Sequence, residues 1–229
     1  MINENLVSVV MSVYNSELTI KKSIESILNQ TYKDIELIII EDGSSDNTPF
    51  ICKEYENEHE NVFVYSNNEN IGLTKSLNIG IKKSKGKFIA RQDADDFSEH
   101  HRIKTQIEIM ISDNLDAVSS RARVINSKQV IPNYSYYLPL RYLVKIKNPF
   151  IHGTLLIKRK IIDEAGLYNE KFYYSQDYKL MYDLVSRKHK IKIIKEPLYY
   201  LNMTNNISNI NSQEQKYYAD CVKKNIEPK

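Results

Sequence analysis

The chain has 229 residues, 41% of them hydrophobic and 27% charged, and a formal net charge of +3. That length suits one large domain followed by a tail, the charge is too small to argue for nucleic acid, and no apolar run approaches the ~18–20 residues of a membrane span. Two cysteines, Cys52 and Cys221, are too few for a disulfide framework or a zinc cluster and read as structural; with no basic segment or cleavage site ahead of Leu6, the chain is expected in the cytoplasm.

In chain order, residues 6–13 form a nearly continuous apolar, β-branched run, the pattern of a strand buried on both faces of a parallel sheet. Ile20, Ile24, Ile27 and Leu28 recur at helical spacing up to Gln30, and Asp34 to Ile40 is a second buried strand ended by Glu41-Asp42-Gly43-Ser44. Thr48-Pro49 caps a helix carrying Ile51 and Tyr55, residues 62–65 are a third strand, and Leu73, Leu77 and Ile81 mark a helix stopping near Gly86. Phe88 to Arg91 is a fourth strand, leading directly into Asp93, Asp95 and Asp96.

Repeated strand–helix alternation specifies a mostly parallel sheet with right-handed crossovers and helices on both faces, and such sheets bind ligands at the carboxyl ends of their strands. Those ends carry Ser12 to Asn15, Glu41 to Ser44 and Asp93 to Asp96. Clustered carboxylates need a counter-charge, and oxygen ligands of this kind suit Mg²⁺ or Mn²⁺ beside the phosphates of a nucleotide. A solvated acidic turn accounts for an isolated Asp-x-Asp equally well.

Further on, a helix is expected over about 99–113, a short strand from Asp116 to Ser120, a weakly patterned segment with Tyr134, Tyr136, Tyr137 and Tyr142 up to Pro149, and a strand from Thr154 to Lys158. A short helix closed by Gly166, a longer one from Gln176 to His189 and a strand from Ile191 to Ile194 follow. The Asn-rich stretch 202–213 reads as a loop before a polar tail. The basic run from Arg187 to Lys195 reads as a solvated helix end entering a strand, with attraction to an anionic membrane surface as its alternative. There is no internal repeat.

Several of these segments, taken in order, resemble glycosyltransferase family two, inverting enzymes of the GT-A type that use nucleotide sugars. They are Ser8 to Asn15, Leu37 to Thr48, Asn70-Ile-Gly72, Ser76 to Gly86, Asp93 to Asp96, and Gln176-Asp177. The resemblance covers about residues 6–200 and implies a single GT-A domain, with a nucleotide-sugar-binding half over 1–96, an acceptor half over 97–200 and a loop and tail over 201–229. It implies that Ser12, Tyr14, Asn15 and Asp42 hold the nucleoside, that Asp93 contacts the donor and with Asp95 binds Mn²⁺ or Mg²⁺, and that Asp177 is the general base. Asp96 competes with its neighbours for the metal role, since a four-residue acidic run can align one place either way. Lys75 either reaches a phosphate or is simply solvated, and His152 either lines the donor pocket or is a satisfied structural histidine.

The implied reaction moves a sugar from a nucleotide sugar, expected to be a UDP-sugar, to a saccharide or lipid-linked saccharide of a bacterial surface polysaccharide, in the cytoplasm or at the inner face of the membrane. Gln176 stands where an acidic residue commonly precedes the base, His100-His101 where relatives usually carry proline, and there is no tryptophan for an acceptor platform. These departures bear on the acceptor. A sugar nucleotidyltransferase would want a glycine-rich basic loop where Tyr14-Asn15-Ser16-Glu17 stands, and a dehydrogenase a Gly-x-Gly-x-x-Gly after a strand. An inactive sugar-binding or scaffolding member of the same fold would have lost Asp93, Asp95 or Asp177.

Overall fold

The structure is a computed structural model that describes residues 5–203 and 212–229. Strands β1 (Val7–Val13), β2 (Ile35–Glu41), β3 (Val62–Ser66) and β4 (Phe88–Arg91) alternate with helices α1 (Ile20–Leu28), α2 (Thr48–Glu58) and α3 (Leu73–Lys83). After β5 (Phe97–Ser98) come α4 (Arg102–Ser112), β6 (Ala117–Val124), β7 (Val130–Ile131), α5 (Leu140–Leu143), β8 (Leu156–Lys158), α6 (Arg159–Glu164), α7 (Gln176–Ser186), β9 (Ile191–Leu201) and α8 (Ser212–Lys224). The strands form one sheet in the order β3-β2-β1-β4-β8-β6-β9-β5, with β7 paired to β6. Pairs β1–β2, β2–β3, β1–β4 and β6–β9 are parallel, whereas β8 runs antiparallel to both β4 and β6.

The apolar run of β1 divides between the two faces with the strand period of two. Val7, Val9, Met11 and Val13 pack with Ile20, Ile24 and Ile27 of α1 on one face. Val10 packs with Leu77 and Ile81 of α3 on the other. Helix α3 lies so close there that a Cβ on Gly80 would stand 2.5 Å from Val10 Cγ1. Glu36 interrupts an apolar strand for a reason: its Oε1 accepts bonds from Ser8 Oγ at 2.5 Å and from the amides of Lys85 and Gly86 at 2.5 and 3.2 Å, fastening the turn that leads into β4.

The chain leaves β1 toward β2 and β3, then returns to the other side of β1 as β4. That reversal opens a crevice at the carboxyl ends of β1 and β4.

Besides the short β5, β7 and α5, which the sequence pattern does not predict, three elements differ from the sequence expectation. Strand β6 reaches Val124, and β9 continues to Leu201, because the register shifts between Ser120 and Ala122 and pairs Arg121 with Pro197 after Ser120 has paired with Ile194. The bulge breaks the alternation that marks a strand in sequence. The expected tail contains α8, whose Cys221 and Val222 are buried in the core with Leu180 and Leu184 of α7. Most of the expected Asn-rich loop lies outside the described residues.

Candidate active site

At the carboxyl ends of β1 and β2, the two following loops are laced together. Asn15 takes a positive φ of 46°, a conformation asparagine tolerates better than most residues. Its amide donates to Ser44 Oγ at 3.0 Å and its Oδ1 accepts from the Ser45 amide at 2.9 Å. Ser12 is half-buried and Tyr14 is exposed beside it. Asp42 differs from the expected picture. Its carboxylate is 2% exposed and accepts from Asn67 Nδ2 at 2.8 Å and from the Ile71 and Gly72 amides at 3.0 Å each, so it shapes the Asn67–Gly72 loop from beneath. Gly43 makes this possible: at φ 71° it sits where a Cβ would lie 2.6 Å from the Glu69 carbonyl carbon. Lys75 is exposed on the first turn of α3 and makes no hydrogen bond or ion pair among the described residues.

The acidic turn is held by groups the sequence did not single out. Arg91 is 1% exposed at the end of β4. Its Nη2 donates to Asp93 Oδ1 at 2.6 Å, its Nη1 to the carbonyls of Val10 and Gln92, and its Nε to His152 Nε2 at 3.3 Å. Tyr199, from β9, accepts the Asp93 amide at 3.1 Å and lies close enough to Asp96 to oppose the rise of its pKa. Asp96 Oδ1 also takes the Asn202 amide at 2.6 Å, so this carboxylate is turned inward. Burial, and then the nearby charges of Asp93 and Asp95, raise the Asp96 pKa. Asp95 is pushed up to about 6 by burial and by Asp93.

His152 is shared between Arg91 and Tyr168, whose hydroxyl lies 2.8 Å from its Nε2. A guanidinium can only donate, so Nε2 accepts and the ring carries its proton on Nδ1. Burial and the Arg91 charge hold its pKa well below the ordinary value, which keeps it neutral. Beside it, the Gly153 carbonyl accepts Arg102 Nη1 at 3.0 Å, and Arg102 Nη2 reaches the Arg91 carbonyl at 3.1 Å. Burial lowers the Arg102 pKa to about 10. A Cβ on Gly153 would stand 2.2 Å from Tyr199 Oη and 2.8 Å from Asp93 Oδ2. Gly153→Ala is therefore expected to cost ~1–3 kcal/mol by overpacking, measured by urea unfolding. A variant as stable as the parent would mean that Tyr199 moves aside freely.

Asp177 lies in the first turn of α7. Ser175 before it takes a positive φ of 56°, and the Ser175 hydroxyl donates to Gln215 Oε1 of α8 at 3.2 Å. The Asp177 Oδ2 accepts Asn148 Nδ2 at 2.7 Å. Its pKa is raised, chiefly by burial and further by the charge of Asp93, against the opposing hydrogen bonds from the Tyr178 amide and Asn148. Arg91 joins Asp93 to His152, His152 bonds the Tyr168 hydroxyl, and the charges of Arg91, Asp177 and Asp93 all reach Tyr168.

The acidic turn fits a divalent cation. Of its three carboxylates, Asp96 is taken up by the Asn202 amide, and Arg91 is bonded to one oxygen of Asp93. The second oxygen of Asp93 and the carboxylate of Asp95 remain crowded, as the raised Asp95 pKa records. Such a pair of hard oxygen donors suits Mg²⁺ or Mn²⁺.

The sequence reasoning passed over Arg91, Arg102 and Tyr199. The signal for Arg91 was present: a cation inside the apolar run Phe88-Ile-Ala-Arg91 must be paired if the strand is buried, and the acids follow at once.

The family model described as "Glycosyl transferase family 2" matches residues 8–171. An uncharacterised glycosyltransferase of Haemophilus influenzae is 32% identical over 236 residues, spanning 96% of this chain and 72% of its own. The Escherichia coli UDP-Glc:alpha-D-GlcNAc-diphosphoundecaprenol beta-1,3-glucosyltransferase WfgD is 30% identical over 179 residues, 78% of this chain and 69% of its own. The solved mannosyltransferase PcManGT of Pyrobaculum calidifontis, in complex with GDP-Man and Mn²⁺, superposes with a TM-score of 0.76 at 16% identity over 97% of this chain, which spans 65% of that one. The likeness is one of fold, the GT-A fold.

Proposed function

Because the chain belongs to glycosyl transferase family 2, we propose that this glycosyltransferase is an inverting enzyme that moves a sugar from a nucleoside diphosphate sugar, UDP-linked in our reading, to a hydroxyl of a saccharide or lipid-linked saccharide. The carrying observation is that the Asp177 carboxylate, its pKa raised chiefly by burial, stands within electrostatic reach of Asp93 in the acidic turn.

On this reading Ser12, Tyr14 and Asn15 contact the nucleoside, and Asp42 serves it indirectly through the Asn67–Gly72 loop. Asp93 and Asp95 hold Mn²⁺ or Mg²⁺ on the diphosphate, which when bound offsets the negative charge developing on the departing oxygen. Arg91 and His152 keep Asp93 aimed into the crevice, and His152 lines the donor side without carrying charge. Lys75, exposed at the start of α3, has the reach of a phosphate contact. Asp177 removes the proton from the acceptor hydroxyl as it attacks the anomeric carbon from the face opposite the leaving group.

The acceptor reading draws on WfgD, whose name gives a diphosphoundecaprenol-linked acceptor. No helix among the described residues is long and apolar enough to cross a membrane, so a lipid-linked acceptor would be met from the membrane surface. A second reading, an inactive sugar-binding member, has no observation in its favour while Asp93, Asp95 and Asp177 are all in place.

The test is release of nucleoside diphosphate from a panel of nucleotide sugars. Excess EDTA, or Asp95→Asn, is expected to reduce turnover by orders of magnitude, with Mn²⁺ restoring only the chelated parent. Undiminished turnover in EDTA would sink the metal assignment.

A further inference from the structure

The pair His100-His101 finds no use in the proposed reaction, yet it is held in a specific setting. Glu99, His100 and His101 each offer a ligand atom, all within 4.8 Å of one another. The backbone beneath them is pinned from three sides: the Glu99 amide donates to the Leu198 carbonyl at 3.0 Å, Gln30 Nε2 donates to the Glu99 carbonyl at 2.7 Å, and the Thr31 amide to the His100 carbonyl at 2.8 Å. The side chains have outer partners as well. Tyr200 donates its hydroxyl to Glu99 Oε1 at 2.8 Å, leaving Oε2 open, and His101 Nε2 lies 3.0 Å from Glu196 Oε1.

These are the marks of a transition-metal site. Ligating histidines commonly donate their second nitrogen to a carboxylate, and ligating carboxylates are themselves hydrogen-bonded. The tautomer with Nε2–H on Glu196 would present the Nδ1 lone pair of His101 to an ion. Tetrahedral Zn²⁺ with ligands at ~2.0–2.1 Å needs its donor atoms about 3.3 Å apart. Side chains already within 4.8 Å, on an exposed or half-buried surface, close that gap by small rotations.

The donor set also separates this place from the acidic turn. Imidazole nitrogens favour Zn²⁺, Ni²⁺ or Cu²⁺, whereas the all-oxygen turn favours Mg²⁺ or Mn²⁺. Position separates them too. β5 and β9 pair Phe97 with Tyr200 and Ser98 with Tyr199, and successive residues of a strand face opposite ways. Tyr199 points to Asp93 and Asp96, while Tyr200 turns to Glu99 and stacks on Phe97 with ring centres 4.3 Å apart.

We propose that Glu99, His100 and His101, with Glu196 behind His101, form a second metal site that binds Zn²⁺ and clamps the start of α4 to β9. The site would act as a brace: β9 is the strand that supplies Tyr199 to the acidic turn.

The experiment titrates Zn²⁺ into the metal-stripped full chain by calorimetry and counts bound metal. The parent is expected to bind one Zn²⁺ more than His100→Ala/His101→Ala, and Asp93→Asn/Asp95→Asn is expected to keep that ion. Glu196→Gln should weaken the site by about 10–100-fold. Zn²⁺ should raise the melting temperature of the parent and leave that of the histidine double variant unmoved. The melting temperature of each protein in EDTA sets its own baseline, so the effect of zinc is read as the shift that Zn²⁺ adds to that baseline. Equal Zn²⁺ stoichiometry in parent and histidine variant would overturn the proposal, as would loss of the ion in the aspartate variant alone.

Discussion

Asp177→Asn is expected to lower sugar transfer by about 10²–10⁴-fold, the contribution of a positioned general base, while the affinity for nucleoside diphosphate stays nearly unchanged. Asparagine preserves the size of the side chain and a bond to Asn148, but it has no lone pair basic enough to take a proton. The crevice around Asp93 is left intact. Steady-state kinetics and calorimetry separate the two effects, and the product should carry inverted anomeric configuration, since a single displacement without a covalent intermediate permits only that.

The pH profile offers an independent check on the same residue. The base works deprotonated, and burial raises its pKa, so kcat should fall with decreasing pH at a higher pH than the ~3.9 of an ordinary aspartate would dictate. A variant that loses donor binding together with turnover would give Asp177 a structural role, capping α7 beside the pocket. A product of retained configuration would defeat the mechanism.

Arg91→Met should be the most damaging single change to the fold at the site, costing ~3–5 kcal/mol in urea unfolding. Methionine fills much of the volume but leaves Asp93 Oδ1, the Val10 carbonyl and His152 Nε2 without the donor they share. Much of that cost is the uncompensated charge of Asp93, so a double-mutant cycle with Asp93→Asn should recover part of it. If Arg91→Met alone unfolds at the parent's urea midpoint, Arg91 is not what holds the turn.

The first half of the fold was legible because β1, β2 and β4 are apolar on both faces and α1 to α3 keep a clean helical period, signals that need no long-range information. The roles proposed for Asp93, Asp95 and Asp177 rest on their order along the chain among segments that resemble the family. What the sequence hid has a common cause. The length of β9 is masked by the bulge at Arg121, where Lys195 and Glu196 shift the alternation, and α8 is mostly polar with Cys221 and Val222 as its buried contacts. Arg102 is invisible for a related reason. It opens α4 like any surface cation, and only the fold reveals that it is buried against the Gly153 carbonyl. Asp42 shows the converse case, a residue the resemblance assigns to the nucleoside, whose oxygens accept bonds from the Asn67–Gly72 loop.

The dependence of the acidic turn on Tyr199 and Asn202 also orders events in time. A ribosome makes Asp93 to Asp96 more than 100 residues before it makes the hydroxyl and the amide that hold them. Strands β1 to β4 are sequential neighbours in a parallel unit and can pair as they emerge, N-terminal parts generally going first. The turn cannot be fastened then, because closing a loop of that span must wait for its far end. A nascent chain would thus have the loops after β1 and β2 laced together before its acidic turn was fastened, and the two parts of the proposed donor site would form one after the other.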